Sequence, residues 1–354
     1  MKIYRLGLAC TLPLFAACNA TNSSIKITSE TVSQQRLDTI VANIEKRYPE
    51  ATQEQKQNAA EVVVRAIENL VFVEGGSFEM GDFGAPCEIP SGTVNRMDWS
   101  PDAECLSSPG SQMTGADHLH KVTLDSYSIA KFETRFIDME WMRLINGLPV
   151  AKDDAKDQSI IQRDSKAYQW LITDMKDYPA SAKAWQEAKD YCQWLGQVSA
   201  MPFDLPTEAQ WEYAARSRGQ KYYFATNNGY SQVQDAIYFD PETDRYIEYT
   251  ESDANASTNT EEVDRYPPNP LGIYGMSNPV SEWVEDWYSP DYYEHSPELN
   301  PKGPKEGTEK VLRDAGGTTM TFSRIYSVPV KKAYFYSTSF RCALQTTTPA
   351  HKSS

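Results

Sequence analysis

Leu205-Pro206-Thr207-Glu208-Ala209-Gln210-Trp211-Glu212-Tyr213-Ala214-Ala215-Arg216 is the stretch on which the fold turns. Threonine is a helix-capping residue, so Thr207 predicts a helix that begins at Glu208. A carboxylate there suits the positive end of the helix dipole. Trp211, Ala214 and Ala215 supply the side that packs inward. Upstream, Trp185, Ala188, Cys192 and Leu195 fall on one side of a second helix, Trp185–Leu195. Farther upstream, Leu37, Ile40, Val41 and Ile44 recur at helical spacing, and Tyr48-Pro49 breaks the pattern. Thr52-Gln53-Glu54-Gln55 reads as a capping box that opens another helix, with Val62, Val63, Ala66, Ile67 and Leu70 on its apolar side. Residues 30–70 are therefore predicted as a helical hairpin. Its expected role is a brace on the main domain, because apolar helix faces are mostly core. A partner-binding hairpin is the sharper alternative.

The remaining motifs lie between Val71 and residue 345. Phe72-Val73-Glu74-Gly75-Gly76-Ser77-Phe78-Glu79-Met80-Gly81 reads as a strand and turn, and His120–Tyr127 alternates like a strand. Lys131-Phe132-Glu133-Thr134 leads into a helix through Leu144. A third block is Asn269-Pro270-Leu271-Gly272-Ile273-Tyr274-Gly275-Met276 with Val280-Ser281-Glu282-Trp283-Val284-Glu285-Asp286-Trp287-Tyr288. A fourth is Ala315-Gly316-Gly317-Thr318-Thr319-Met320-Thr321-Phe322-Ser323-Arg324-Ile325-Tyr326 with Ser339-Phe340-Arg341-Cys342-Ala343. Together with the twelve-residue stretch, these blocks resemble the formylglycine-generating enzyme (sulfatase-modifying factor) family. A match over twelve successive positions is far more specific than a short motif.

The resemblance implies an α+β, C-type-lectin-like fold with little regular secondary structure over residues 71–345, followed by a tail, 346–354. The composition agrees: 8 Trp, 21 Tyr and 12 Phe can fill a core built around loops, and 21 Pro and 18 Gly suit numerous turns. Family members that oxidise a sulfatase cysteine hold copper with two thiolates. The matching positions here are Thr321 and Tyr326, whose hydroxyl and phenol are not soft ligands. Thr318 stands at a family serine. The resemblance thus implies the scaffold without its copper chemistry, and no catalytic residue is assigned. A family calcium site falls on Gly275–Glu282. Glu282 is retained there, with Asn278 and Val280 carbonyls as further candidate ligands, while Gly275 lacks the usual side-chain oxygen. Calcium and a metal-free loop are both open. Asp253, Asn255 and Ser257 have EF-hand-like spacing, but Thr258 replaces the turn glycine, so they read as a polar loop.

Residues 1–17 read as a signal peptide, with Lys2 and Arg5 before an apolar stretch. Phe15-Ala16-Ala17-Cys18 resembles a bacterial lipobox, making Cys18 the lipidation site and 18–29 a tether. Asn19, in place of Asp, points to the periplasmic face of the outer membrane. No later run is long and apolar enough to span a bilayer. The net charge is −15, and loss of Lys2 and Arg5 makes it two units more negative. That argues against nucleic acid and against anionic lipid headgroups as partners. Beyond Cys18 the chain has Cys87, Cys105, Cys192 and Cys342. In an oxidising compartment an even number suggests disulfides, with three pairings open. Cys87 and Cys105 share one loop-like stretch and are expected to close it, and the resemblance implies a Cys192–Cys342 bridge.

Two exposed acidic, aromatic loops are the candidate partner-binding surfaces. One runs from Phe239 to Asp264 and includes Asp240, Glu242, Tyr246, Tyr249 and Glu251. The other includes Asp286, Trp287, Tyr288 and Asp291-Tyr292-Tyr293. Tyr and Trp supply rigid anchors, and acids steer basic partners. The expected function is a non-catalytic periplasmic binding lipoprotein. The specific expectation is an immunity protein for a type VI secretion toxin such as a lipase effector. An envelope assembly or regulatory lipoprotein of a secretion system is the alternative, and an oxidoreductase with altered chemistry ranks last.

Overall fold

The computed structural model describes residues 25–86, 104–105, 111–150, 161–233, 237–240, 245–248, 250, 254–257, 259–277, 279–313, 320–327 and 338–351. Cys18, Cys87, Glu242, Tyr249, Glu251, Asn278 and Thr318 lie outside them, as does the expected Cys87–Cys105 pairing.

The N-terminal hairpin forms as its caps dictate. Ser33 caps the helix Gln34–Arg47. Before the helix Gln53–Glu68, Thr52 Oγ1 accepts from Gln55 N at 3.2 Å and Gln55 Oε1 accepts from Thr52 N at 2.9 Å. Leu37, Ile40, Ile44, Val62, Val63 and Ile67 join one hydrophobic core with Met139, Tyr191, Leu195 and Phe340. Polar ties accompany the packing: Arg36 Nη1 donates to Ser199 O at 2.7 Å, and Asn43 Nδ2 donates to Val198 O at 2.9 Å. The apolar faces of both helices are spent on the domain, which is the packing of a brace.

Two four-stranded sheets form the rest of the frame. In the first, Leu70–Val73, Tyr127–Ala130, Ala343–Leu344 and Phe203–Asp204 lie side by side, all antiparallel. In the second, the order is Arg324–Ser327, Lys310–Arg313, Ser281–Trp287 and Thr338–Ser339, the last pair parallel. Gly76–Met80 pairs with His120–Leu124 as a separate ribbon. The expected strand over His120–Tyr127 is thus two strands in different sheets. The break falls where Asp125 N donates to Asn300 Oδ1 and Ser126 Oγ accepts from Gly75 N, so side chains replace the ladder. A second correction concerns 237–248, expected as loop: Ile237–Asp240 and Arg245–Glu248 form an antiparallel ribbon.

The helix Trp185–Ser199 runs one turn beyond its predicted end and stops at Ala200, which takes the left-handed conformation (φ 54°). Cys192 on this helix is bonded to Cys342, with Cα atoms 5.5 Å apart. The mixed helix-and-sheet architecture is the expected α+β class. The helix Glu208–Ala215 sits at its centre, with every residue buried, and packs on strands of the second sheet and of the Gly76–Met80 ribbon.

Candidate functional site

A helix buried on all sides is normally apolar. Glu208–Ala215 is not: Glu208, Glu212 and the following Arg216 all point into protein. Thr207 caps it as predicted, accepting from Gln210 N at 3.1 Å. Glu208 does more than complement the helix dipole. Its Oε1 accepts from Arg313 Nη1 and from Tyr293 OH, both at 3.0 Å, and lies 2.9 Å from Arg324 Nε. Glu212 accepts from Arg313 Nη2 at 3.0 Å, from Arg216 Nη1 at 2.8 Å and from Gly81 N at 3.0 Å. Asp286 accepts from Glu208 N at 2.8 Å. Three guanidiniums therefore meet three carboxyls in the interior. Arg324 also stacks over Tyr293, 4.4 Å from the ring centroid.

The network borders the positions that the resemblance assigns to copper-binding cysteines. Thr321 is fully buried. Its Oγ1 donates to Tyr222 O at 2.6 Å, its N donates to Tyr223 O at 2.7 Å, and its carbonyl accepts from Arg313 Nη2. The hydroxyl is thus committed to a backbone carbonyl. Tyr326 lies on the strand Arg324–Ser327, paired in register with Val311. This donor set does not fit copper, because a hydrogen-bonded hydroxyl occupies the place of a soft thiolate.

Glu282 does not fit calcium as placed. Its carboxylate accepts from Arg341 Nη2 at 2.6 Å and Nε at 2.7 Å, and from Trp211 Nε1 at 3.1 Å. A bidentate guanidinium takes the carboxylate face that a cation needs. Val280 is buried beside it. Asn255, expected in a polar loop, is buried: its Oδ1 accepts from Gln232 N at 2.8 Å, and its Nδ2 lies within 3.2 Å of oxygens of Asn227, Asn228, Tyr230 and Gln232.

Of the two expected binding patches, the second is not an exposed acidic surface. Asp286 and Tyr293 are buried in the network, and Trp287 lies under Lys310, 4.0 Å from the ring centroid. Tyr292 is half-buried. In the first patch, Asp240 and Tyr246 stand on the ribbon, opposite Arg245 and Phe239. The charge network itself was missed from sequence. Its local signal was Glu208, Glu212 and Arg216 at i, i+4 and i+8 among Trp and Ala, one charged stripe on an otherwise apolar helix.

Burial, then Glu208 and Glu285, push the Asp286 carboxyl up to about 8, while the Glu208 N–H and Arg324 oppose this. A folded acid titrating above its unfolded value of 3.8 binds a proton that the unfolded chain has released. Its contribution is therefore fully present below pH 3.8 and declines as pH rises to about 8. Asp286→Asn, which keeps an acceptor for Glu208 N, is expected to flatten stability against pH over that window. Urea titrations at several pH values check this. An unchanged slope would remove Asp286 as its source.

A model of the sulfatase-modifying factor enzyme 1-like domain matches residues 53–352, and the chain belongs to this family. Among curated relatives, the formylglycine-generating enzyme of Streptomyces coelicolor is 32% identical over 185 residues, covering 49% of this chain and 54% of that protein. The serine/threonine-protein kinase pkn1 of Chlamydia pneumoniae is 28% identical over 282 residues, covering 75% of this chain and 35% of that protein. The chain spans about half the length of the first relative and about a third of the second. The solved structure of PvdO from Pseudomonas aeruginosa superposes with a TM-score of 0.53 at 20% identity, covering 78% of this chain and 94% of that one. It shares the fold.

Proposed function

We propose that the chain is a non-catalytic binding lipoprotein, anchored through Cys18 on the periplasmic face of the outer membrane. Its specific role in this reading is to bind and neutralise a type VI secretion toxin such as a lipase effector. The observation that carries the non-catalytic half is Thr321: at a position where copper chemistry needs a thiolate, a buried hydroxyl donates to Tyr222 O. The location rests on Lys2, Arg5, the apolar stretch after them and the Ala16-Ala17-Cys18 step. Formylglycine generation and kinase activity are properties of the named relatives, and neither is carried over.

The proposed contact surface is the Ile237–Asp240 and Arg245–Glu248 ribbon, which carries Asp240 and Tyr246, together with Glu242, Tyr249 and Glu251, which adjoin its strands in sequence. Its acids favour a basic face on the toxin and set the association rate. Asp240→Lys with Glu251→Lys is expected to weaken the complex at least about tenfold. Thr321→Ala is expected to leave affinity unchanged, at a stability cost of about 1–3 kcal/mol for the unsatisfied Tyr222 carbonyl. The test is growth of cells that direct a type VI lipase effector to their own periplasm, with and without the chain, alongside calorimetric titration of that effector with each variant. Rescue by the wild type and loss with the lysine variants supports the reading. Copper uptake with oxygen-dependent turnover of a thiol peptide by the purified chain would overturn it.

A further inference from the structure

The helix Gln53–Glu68 does not close completely on the domain. Between its last turn, at Arg65, Ala66 and Asn69, and the segment 130–135 lies a cavity of about 40 Å³, counted as space for the centres of water-sized spheres. That is room for about three heavy atoms. Phe132, Leu195 and Phe203 make part of its lining apolar, and Glu133 also lines it. Glu133 is 2% exposed, and neither of its carboxylate oxygens has a hydrogen-bond partner among the described residues. A buried carboxyl with both oxygens unpaired is costly, so a fold keeps one where something else completes it.

The surrounding charges indicate what that is. Arg65 Nη2 lies 2.6 Å from Asp138 Oδ1, Arg135 Nε lies 3.1 Å from Asp138 Oδ2, and Arg135 Nη1 lies 3.1 Å from Asp177 Oδ1. Both rim guanidiniums are thus engaged by carboxylates. Lys176 Nζ also lies 3.8 Å from Asp177 Oδ2, so the rim cations are engaged by Asp138 and Asp177, and neither Glu133 oxygen receives a hydrogen bond from them. The nearby Glu282 and Arg341 neutralise each other. In the resting protein, burial and then Glu282 hold the Glu133 carboxyl well above the usual carboxylate range, against the pull of Arg341. What is missing is one compact cation with hydrogens to donate and an apolar stem. A guanidinium has four heavy atoms, one more than the space takes, whereas the last two carbons and the ammonium of an alkylamine match it.

We infer that this cavity is a receptor for a primary alkylammonium group, with Glu133 as its counter-ion and Phe132, Leu195 and Phe203 around the stem. The group is either a lysine side chain of a partner protein or a free aliphatic amine. The site is separate from the acidic ribbon and stands whether or not the toxin reading holds.

The test is calorimetric and NMR titration of the full chain with n-butylammonium chloride, with n-butanol as the uncharged control. The expected result is saturable binding of the amine and none of the alcohol. Glu133→Gln is expected to weaken it by at least about tenfold, the effect of removing a charged acceptor. Ala66→Leu, which adds bulk at another lining residue and leaves Glu133 in place, is expected to block it while the melting temperature is kept. N-acetyl-lysine amide stands for a lysine within a protein: if it binds as the simple amine does, the source is a partner's lysine. If only the simple amine binds, the source is a free amine. Absence of saturable binding by the wild-type chain, or equal binding by both variants, would overturn the inference.

Discussion

Replacing Arg313 by Met is expected to lower the unfolding free energy by about 3–5 kcal/mol. Arg313 is fully buried and joins the two helix carboxylates, donating to Glu208 through Nη1 and to Glu212 through Nη2. It also donates to the carbonyl of Thr321. Methionine fills the aliphatic part of its volume, so the loss does not come from a cavity. It comes from leaving two carboxylates with fewer donors in a low-dielectric interior. Arg216 still serves Glu212, and Tyr293 and Arg324 still lie against Glu208. None of them replaces the cation that bridges the two carboxylates. Urea unfolding measures the loss directly. Adding Glu212→Gln to Arg313→Met removes one stranded charge and should cost less than the sum of the two single changes, with about 1–3 kcal/mol of coupling. A single-variant loss below about 1 kcal/mol would show that water reaches the network and screens it as at a surface.

The helix at the centre of this argument was legible in the sequence, and its partners were not. Thr207, Trp211 and the Ala214-Ala215 pair are local signals, and the cap and the inward face formed as read. The role of Glu208 was read locally too, as a helix-dipole complement. Its actual partners, Arg313 and Arg324, come from strands more than 100 positions away, and no periodicity reports such a pairing. The same limit explains the Asp286-Trp287-Tyr288 stretch. Its composition reads as an acidic aromatic surface, but Asp286 turns inward to Glu208 N while Trp287 is covered by Lys310. Conversely, the acids of 237–248 hid a β-ribbon, because charged residues at strand positions break the alternation that reveals a strand. The bridge between Cys192 and Cys342 was reached through family resemblance, since four cysteines alone leave three pairings. The cavity beside Glu133 had no sequence signal, because it depends on how closely one helix approaches a loop.

The second large effect is expected from that bridge. Cys192–Cys342 spans 150 positions, so in the chain-entropy model it removes about 5 kcal/mol of freedom from the unfolded chain. Engineered comparisons fall short of the model, and the double variant Cys192→Ser/Cys342→Ser is expected to lose about 2–5 kcal/mol. The bond joins the helix Trp185–Ser199 to the end strand Ala343–Leu344, which lies between Tyr127–Ala130 and Phe203–Asp204 in the first sheet. Without it, that short strand is held by its ladder, by Phe340 packed on Tyr191 and by the Arg341–Glu282 pair. Those contacts keep the native fold, so the variant should unfold at lower urea with its native-state spectrum unchanged. Because a cross-link compacts the unfolded chain, its loss should also steepen the dependence on urea. Reduction of the wild-type chain should reproduce both changes. A midpoint that shifts without a change in slope would place the effect in native packing around the sulfurs, and no shift in either would mean that the Arg341–Glu282 pair and the sheet ladder already hold the last strand on their own.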